Sequence, residues 1–360
     1  MCKLFVGLHN FFYKNCTISE LTNLYARCYY YIIDETRLLI MNSFVLNTYG
    51  ARSESMNQTI GGGVITPLLT PINQDESINY EQMRALIDYV VDGGVDAIFI
   101  MGSTGEFARF DEATRGSIIR ECVRHVAGRV LVYAGVADTG LTAVLRNVKS
   151  AQQAGADVLV VTLPYYYPIH NDDEAYSFFS SVAASTSLPV MLYNIPGTCG
   201  AAISMEVIAR LSAIDNIVGV KDSSGDIDRI HEMVRRFKNG DKPFAITVGE
   251  ESICFEGLCA GADGLVPSLS NPYPKLLADL YHASVVGDRA RLRTLCDVMN
   301  DMNRLNRYST AWMSPNVWRK KALSHMGICN AYCTRPYVPV DAETDRQVLQ
   351  TIEQYKRLYG

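Results

Sequence analysis

The sequence predicts an α/β architecture, a (β/α)8 TIM barrel followed by a C-terminal helical appendage. Three observations carry that expectation. Eight short runs rich in β-branched residues are spread along the chain from Gly61 onward. Most of them recur about every 30 residues, the length of a strand, a helix and their loops. The segments between them are amphipathic with helical periodicity. Each run is apolar almost without interruption, as a parallel strand covered on both faces must be. A doubly wound sheet is the alternative, but no run is followed by a G-x-G-x-x-G turn and the repeat persists through all eight units.

Taken in order, the strands are expected at 63–66, 96–101, 130–135, 157–163, 190–195, 217–221, 245–249 and 264–267. The first is led by Gly61-Gly62-Gly63 and closed by Pro67, a glycine start and a proline turn. Helical patterns fill 80–92 and 111–126, and 142–154 runs into Gly155 as a C-terminal stop. The barrel forms the catalytic domain at 56–287, and further helical patterns at 312–326 and 341–355 make residues 288–360 a C-terminal helical region.

The first 55 residues differ in character. They are crowded with aromatics (Phe11, Phe12, Tyr13, Tyr29, Tyr30, Tyr31) and broken by Asp34, Glu35 and Arg37. No stretch reaches the roughly 18 uncharged apolar residues of a membrane span, and the run after Lys3 is too short for a signal peptide. The segment is expected to be an accessory extension or an over-long start ahead of Met56. Mass spectrometry of the natively expressed protein separates the two, since an N-terminus at Met1 excludes the second.

Composition narrows the function. With 48% hydrophobic and 20% charged residues, the 360-residue chain can bury one large core or two ordinary ones. A net charge of -5 and a pI near 5.7 leave no basic excess for nucleic acid, and no membrane partner is expected. The ten cysteines fall without C-x-x-C spacing, which reads as reduced buried thiols of a cytoplasmic protein and not as a metal site.

In such a barrel chemistry sits at the carboxyl ends of the strands. Lys221 closes the run Ile217-Val218-Gly219-Val220. Period-two alternation puts Gly219 and Lys221 on one face, with the glycine leaving room for the lysine stem. Desolvation there disfavours the ammonium and leaves a neutral amine, a nucleophile; the alternative is a lysine paired with Asp222. Tyr193 ends the preceding strand as a near neighbour able to shuttle protons, or it is one interfacial tyrosine among 21. After the second strand comes Gly102-Ser103-Thr104-Gly105-Glu106, where backbone N–H groups and two hydroxyls converge on an anion such as a 2-oxo acid carboxylate. Equally, this turn only caps the 111–126 helix.

Gly102-Ser103-Thr104-Gly105-Glu106, Pro164-Tyr165-Tyr166-Tyr167-Pro168, Tyr193-Asn194-Ile195-Pro196-Gly197 and Gly219-Val220-Lys221-Asp222-Ser223 together resemble the signature set of the dihydrodipicolinate synthase / N-acetylneuraminate lyase family. The resemblance runs from about Gly61 to the end. It implies a barrel that forms a Schiff base between its lysine and pyruvate, works without metal or organic cofactor, and assembles as a homotetramer, a dimer of dimers. Carried across, Lys221 is the Schiff-base lysine, Tyr193 the general acid/base, Ser103 the relay hydroxyl and Tyr166 the relay tyrosine lent by a neighbouring subunit. Thr104 binds the carboxylate, with Gly102 and Ser223 beside it.

One departure bears on the substrate. Dihydrodipicolinate synthases carry an arginine two residues after the proline of the tyrosine motif, and this chain has Thr198. Gly249, Glu251 and Ser268 match positions where neuraminate lyases bind sugar-acid hydroxyls, although Ser252 replaces their second acid. The expected reaction is therefore cleavage of a polyhydroxylated 2-oxo acid, a 2-keto-3-deoxy sugar acid or N-acetylneuraminate, to pyruvate and an aldehyde. The alternatives are 4-hydroxy-tetrahydrodipicolinate (dihydrodipicolinate) synthase and a non-catalytic protein that binds 2-oxo acids. Retention of Lys221, Tyr193 and Ser103 speaks against the last.

Overall fold

Each apolar run pairs with the next in the chain, and the eighth pairs with the first, so that eight parallel strands close into a barrel in sequence order. The structure, a computed structural model, describes residues 60–240, 242–308, 315–337 and 341–359. The reading of residues 1–55 lies outside them. The strands are β1 Gly63–Pro67, β2 Ala97–Ile100, β3 Leu131–Gly135, β4 Val158–Thr162, β5 Val190–Asn194, β6 Ile217–Asp222, β7 Ala245–Val248 and β8 Gly264–Leu265. One main helix follows each strand: α1 Tyr80–Asp92, α2 Glu112–Val126, α3 Leu141–Ala154, α4 Asp172–Ala184, α5 Met205–Ser212, α6 Ile227–Phe237, α7 Cys254–Ala260 and α8 Pro274–Val285. Then α9 Arg289–Asn303, α10 Pro315–His325 and α11 Ala342–Tyr359 complete a compact unit that spans Gln58–Gly360.

The helices begin where short polar side chains satisfy the first free N–H groups. Asn79 accepts from Gln82 N, Asp111 from Thr114 N, Ser204 from Val207 N and Asp226 from Arg229 N. The predicted 111–126 helix thus starts one residue later, with Asp111 as its cap. The helix expected at 312–326 starts at Pro315, a residue suited to the first helical position.

Strand ends are shorter than the apolar runs wherever the backbone turns. Met101 takes a left-handed conformation (φ 58°), so β2 stops at Ile100. β8 keeps only two residues because a one-turn helix at Ser268–Ser270 follows almost at once.

The amino-terminal floor of the barrel is closed by three carboxylate clasps. Asp96, Asp157 and Asp263 stand just before β2, β4 and β8, each after a valine or alanine. Their side chains accept from Val64 N, Val132 N and Ile246 N at 2.8, 2.7 and 2.7 Å. The same aspartates donate their own N–H to the carbonyls of those residues at 2.9, 3.0 and 2.8 Å. Each pair of strands is thereby fastened by two reciprocal bonds, and a backbone N–H at the barrel's wet end is satisfied. At the same end, burial pushes the Tyr133 phenol up to about 12, so it stays neutral while accepting from Gly61 N.

All seven described cysteines are free. Five are buried as expected, but Cys259 is exposed and Cys333 only partly covered. No helix among the described residues is long and apolar enough to cross a membrane.

Candidate active site

β5 and β6 run side by side with Tyr193 opposite Lys221, and Lys221 is opposite Thr247 of β7. Thr162 of β4 stands opposite Tyr193. Four consecutive strands thus present Thr162, Tyr193, Lys221 and Thr247 at one level near the carboxyl rim. Lys221 is 5% exposed, and its Nζ lies 4.0 Å from the centroid of the Tyr193 ring and 5.0 Å from that of Phe99. The two rings meet edge to face at 6.2 Å. They form a partly aromatic box in which a cation is attracted by π faces but loses much of its hydration.

The ion pair with Asp222 does not form. Alternation along β6 turns Asp222 away, and its carboxylate accepts from Arg229 Nε and Asn194 Nδ2, both at 2.7 Å, and from Ser224. Lys221 has no carboxylate partner among the described residues. Room for its stem comes from a glycine the sequence reading did not credit. A Cβ on Gly249 would fall on Ser223 Oγ and 2.8 Å from Lys221 Cε, whereas one on Gly219 would run into Ala245 of β7. Gly219 therefore permits close strand approach, and Gly249 makes space for the lysine.

The turn Gly102-Ser103-Thr104-Gly105 is bounded by two left-handed non-glycine residues, Met101 and Glu106 (φ 58° and 59°). Such conformations cost about 1–3 kcal/mol each and persist only where the surroundings impose them. Gly102 packs under the Phe99 ring, with no space for a Cβ, so the turn sits against the same aromatic that faces Lys221. Its carbonyls are committed inward. Gly102 O accepts from Gly105 N and Ser103 O from Glu106 N, both at 3.0 Å; Thr104 O accepts from Asn316 and Gly105 O from Thr70. The N–H groups and hydroxyls of Ser103 and Thr104 have no acceptor among the described residues. Donors free and carbonyls tied back make an anion nest. The helix α2 is capped by Asp111, so the turn is not needed for that purpose.

The other predicted residues are placed less uniformly. Glu251 and Ser268 do come together: Glu251 is 8% exposed and accepts from Ser268 Oγ at 2.9 Å, Leu269 N at 2.8 Å and Arg319 Nη2 at 3.2 Å. That carboxylate is largely engaged. Thr198 lies exposed on the one-turn helix Pro196–Cys199. Tyr166 and Tyr167 stand 70% and 76% exposed, ring to ring at 4.9 Å, and Tyr166 does not enter the pocket of its own chain. The sequence reading overlooked Phe99 and Thr247. Both sit on the lysine's face of their strands, and counting back by twos from the strand ends was the signal that marks them. Among the described residues no group of three or more His, Cys, Asp or Glu is placed to hold a metal.

A sequence model of the dihydrodipicolinate synthetase family matches residues 61–355. The 4-hydroxy-tetrahydrodipicolinate synthase of Neisseria gonorrhoeae is 35% identical over 279 residues, 77% of this chain and 93% of the relative. The dihydrodipicolinate synthase of Aquifex aeolicus superposes with a TM-score of 0.76 at 28% identity, over 82% of this chain and 98% of that one. YagE, a prophage protein of that synthase family from E. coli K12, solved in complex with pyruvate, gives 0.78 at 28% identity over 83% and 99%. With its closed barrel, its buried lysine and a match that runs nearly the whole described length, the chain belongs to the dihydrodipicolinate synthetase family and is a class I pyruvate-dependent lyase.

Proposed function

We propose that this enzyme forms a Schiff base between Lys221 and pyruvate and joins the resulting enamine to aspartate semialdehyde, as a 4-hydroxy-tetrahydrodipicolinate synthase. The observation that carries the Schiff base is the buried Lys221 amine beside Tyr193, with no carboxylate partner among the described residues. Nζ adds to the keto carbon, water leaves, and the iminium draws electrons from the adjacent carbon, so that a proton is lost and a carbon–carbon bond forms, or breaks in reverse. Tyr193 acts as general acid/base with Ser103 as relay. Thr104 and the free N–H groups of the turn hold the carboxylate, and Gly102, Ser223 and Gly249 shape the walls. The name of the N. gonorrhoeae relative supports the synthase over the sugar-acid reaction expected from sequence. YagE, at 28% identity, was solved with pyruvate, in keeping with the first substrate.

A second reading, cleavage of a sugar-derived 2-oxo acid, has one observation in its favour. Thr198 stands where the synthases carry their arginine, and it cannot offer a bidentate charged contact to a second carboxylate. Arg109 does not take over, since its guanidinium lies 5.7 Å above the Tyr337 ring. A panel of pyruvate plus aspartate semialdehyde, N-acetylneuraminate, 2-keto-3-deoxygluconate and 4-hydroxy-2-oxoglutarate decides between them. Condensation without sugar-acid cleavage upholds the synthase; the reverse result replaces it with the lyase. In Thr198→Arg, whose side chain starts from an exposed position, kcat/KM for aspartate semialdehyde should rise about tenfold, the worth of roughly 1.4 kcal/mol, while any sugar-acid cleavage falls. An unchanged ratio between the two activities removes residue 198 from substrate choice.

Gly249→Ala tests the space around the lysine. Displacing the amine by a fraction of an ångström should lower kcat/KM on the order of 10²-fold with little change in the thermal midpoint. Full activity in that variant places Lys221 elsewhere during turnover. The exposed Tyr166 and Tyr167 rings supply an apolar face for a second copy, consistent with Tyr166 completing the relay across a subunit boundary in a cytoplasmic homotetramer. Sedimentation of the enzyme and of Tyr166→Ala reads out that assembly.

A further inference from the structure

α10 lies more than 200 residues from the β2 turn in the chain, yet three of its side chains reach the rim. Asn316 Nδ2 donates to Thr104 O at 3.1 Å, and Lys320, one turn on, meets Glu106 Oε1 at 2.7 Å. Between them Arg319 turns to Glu251 Oε2 at 3.2 Å, on the loop after β7. The side chains of Lys320 and Glu106 are fully buried, and Arg319 is 2% exposed. Glu106 also accepts from Thr334 N and Oγ1 at 3.0 and 2.6 Å, and Lys320 gives a further bond to Tyr332 O at 2.8 Å.

Burying two ion pairs side by side is a poor way to gain stability, because desolvation offsets the attraction, and Arg319 Nε has no acceptor among the described residues. What the pairs do achieve is direction. Glu106 is a left-handed residue at the foot of the anion turn, held by its carboxylate, and Asn316 pulls the Thr104 carbonyl back. Together they keep the Ser103 and Thr104 donors pointing outward. Arg319 fixes Glu251, which in turn orients Ser268 Oγ and Leu269 N.

We propose that α10 positions both ends of the pocket from behind, with Asn316 and Lys320 setting the pyruvate-carboxylate turn and Arg319 setting the opposite end, none of the three touching substrate. This rests on the Schiff-base reading above and deepens it. The prediction is a split that a general loss of stability would not give.

The experiment titrates pyruvate against borohydride trapping at Lys221, read by intact mass, in the full-length wild type and in Asn316→Ala, Lys320→Met and Arg319→Met. Half-saturating pyruvate should rise about tenfold in the first two variants, the effect of one lost orienting bond, and stay within about twofold in the third. Lys320→Met/Glu106→Gln removes the uncompensated charge. Its thermal midpoint should recover while half-saturation stays raised; recovery of both would make the pair merely structural and overturn the proposal. If Lys320→Met does not fold, Asn316→Ala alone decides, and unchanged half-saturation there overturns it too. An equal rise in all three variants does the same. Absence of any adduct in the wild type is a different failure, that of the Schiff-base reading itself.

Discussion

Borohydride added with pyruvate should inactivate this enzyme irreversibly and leave a single pyruvate-derived mass on Lys221. Reduction captures an imine only where an amine has condensed with the keto group, and a buried amine with no carboxylate partner among the described residues is the group able to do so. Lys221→Ala should lose turnover by about 10⁴- to 10⁶-fold, as removal of a covalent nucleophile does. The fold should survive, because the substitution breaks no ion pair. Its thermal midpoint is the control. An adduct on another lysine, or trapping that persists in Lys221→Ala, would show that the nucleophile lies elsewhere.

Tyr193→Phe should lower kcat by about 10²–10⁴-fold, the usual worth of a positioned acid/base, with KM for pyruvate little changed. The ring remains, so its contact with the Lys221 amine and its edge packing on Phe99 survive the change. The lost hydroxyl has no hydrogen bond to any described residue, so stability should hold. A fall in kcat without a fall in thermal midpoint is therefore the signature of proton transfer. Unchanged kcat would reduce Tyr193 to a wall of the pocket.

How far the site was legible depended on how locally each part is encoded. A parallel strand covered on both faces has to be apolar, so eight runs at a steady spacing predicted eight strands within a residue or two. Lys221, Tyr193 and the Gly102–Glu106 turn stood out because each ends such a run. Gly219 was misread because sequence shows that a glycine gives room but not which neighbour occupies it; Ala245 does, and Gly249 serves the lysine. Glu251 and Ser268 were found without their partner Arg319. The bonds from Asn316 to Thr104 and from Lys320 to Glu106 span 212 and 214 positions, and no periodicity reports a contact at that distance. The helix itself was predicted; the side chains it lends to the rim were not.

The aspartate clasps at the barrel floor bear on how such an enzyme acquires new substrates. Each clasp joins neighbouring strands only, β1 to β2, β3 to β4 and β7 to β8, and all lie at the end opposite the chemistry. Closure of the scaffold is thus underwritten by residues that take no part in recognition. Exposed residues at the other end, such as Thr198, can then change without loss of that framework.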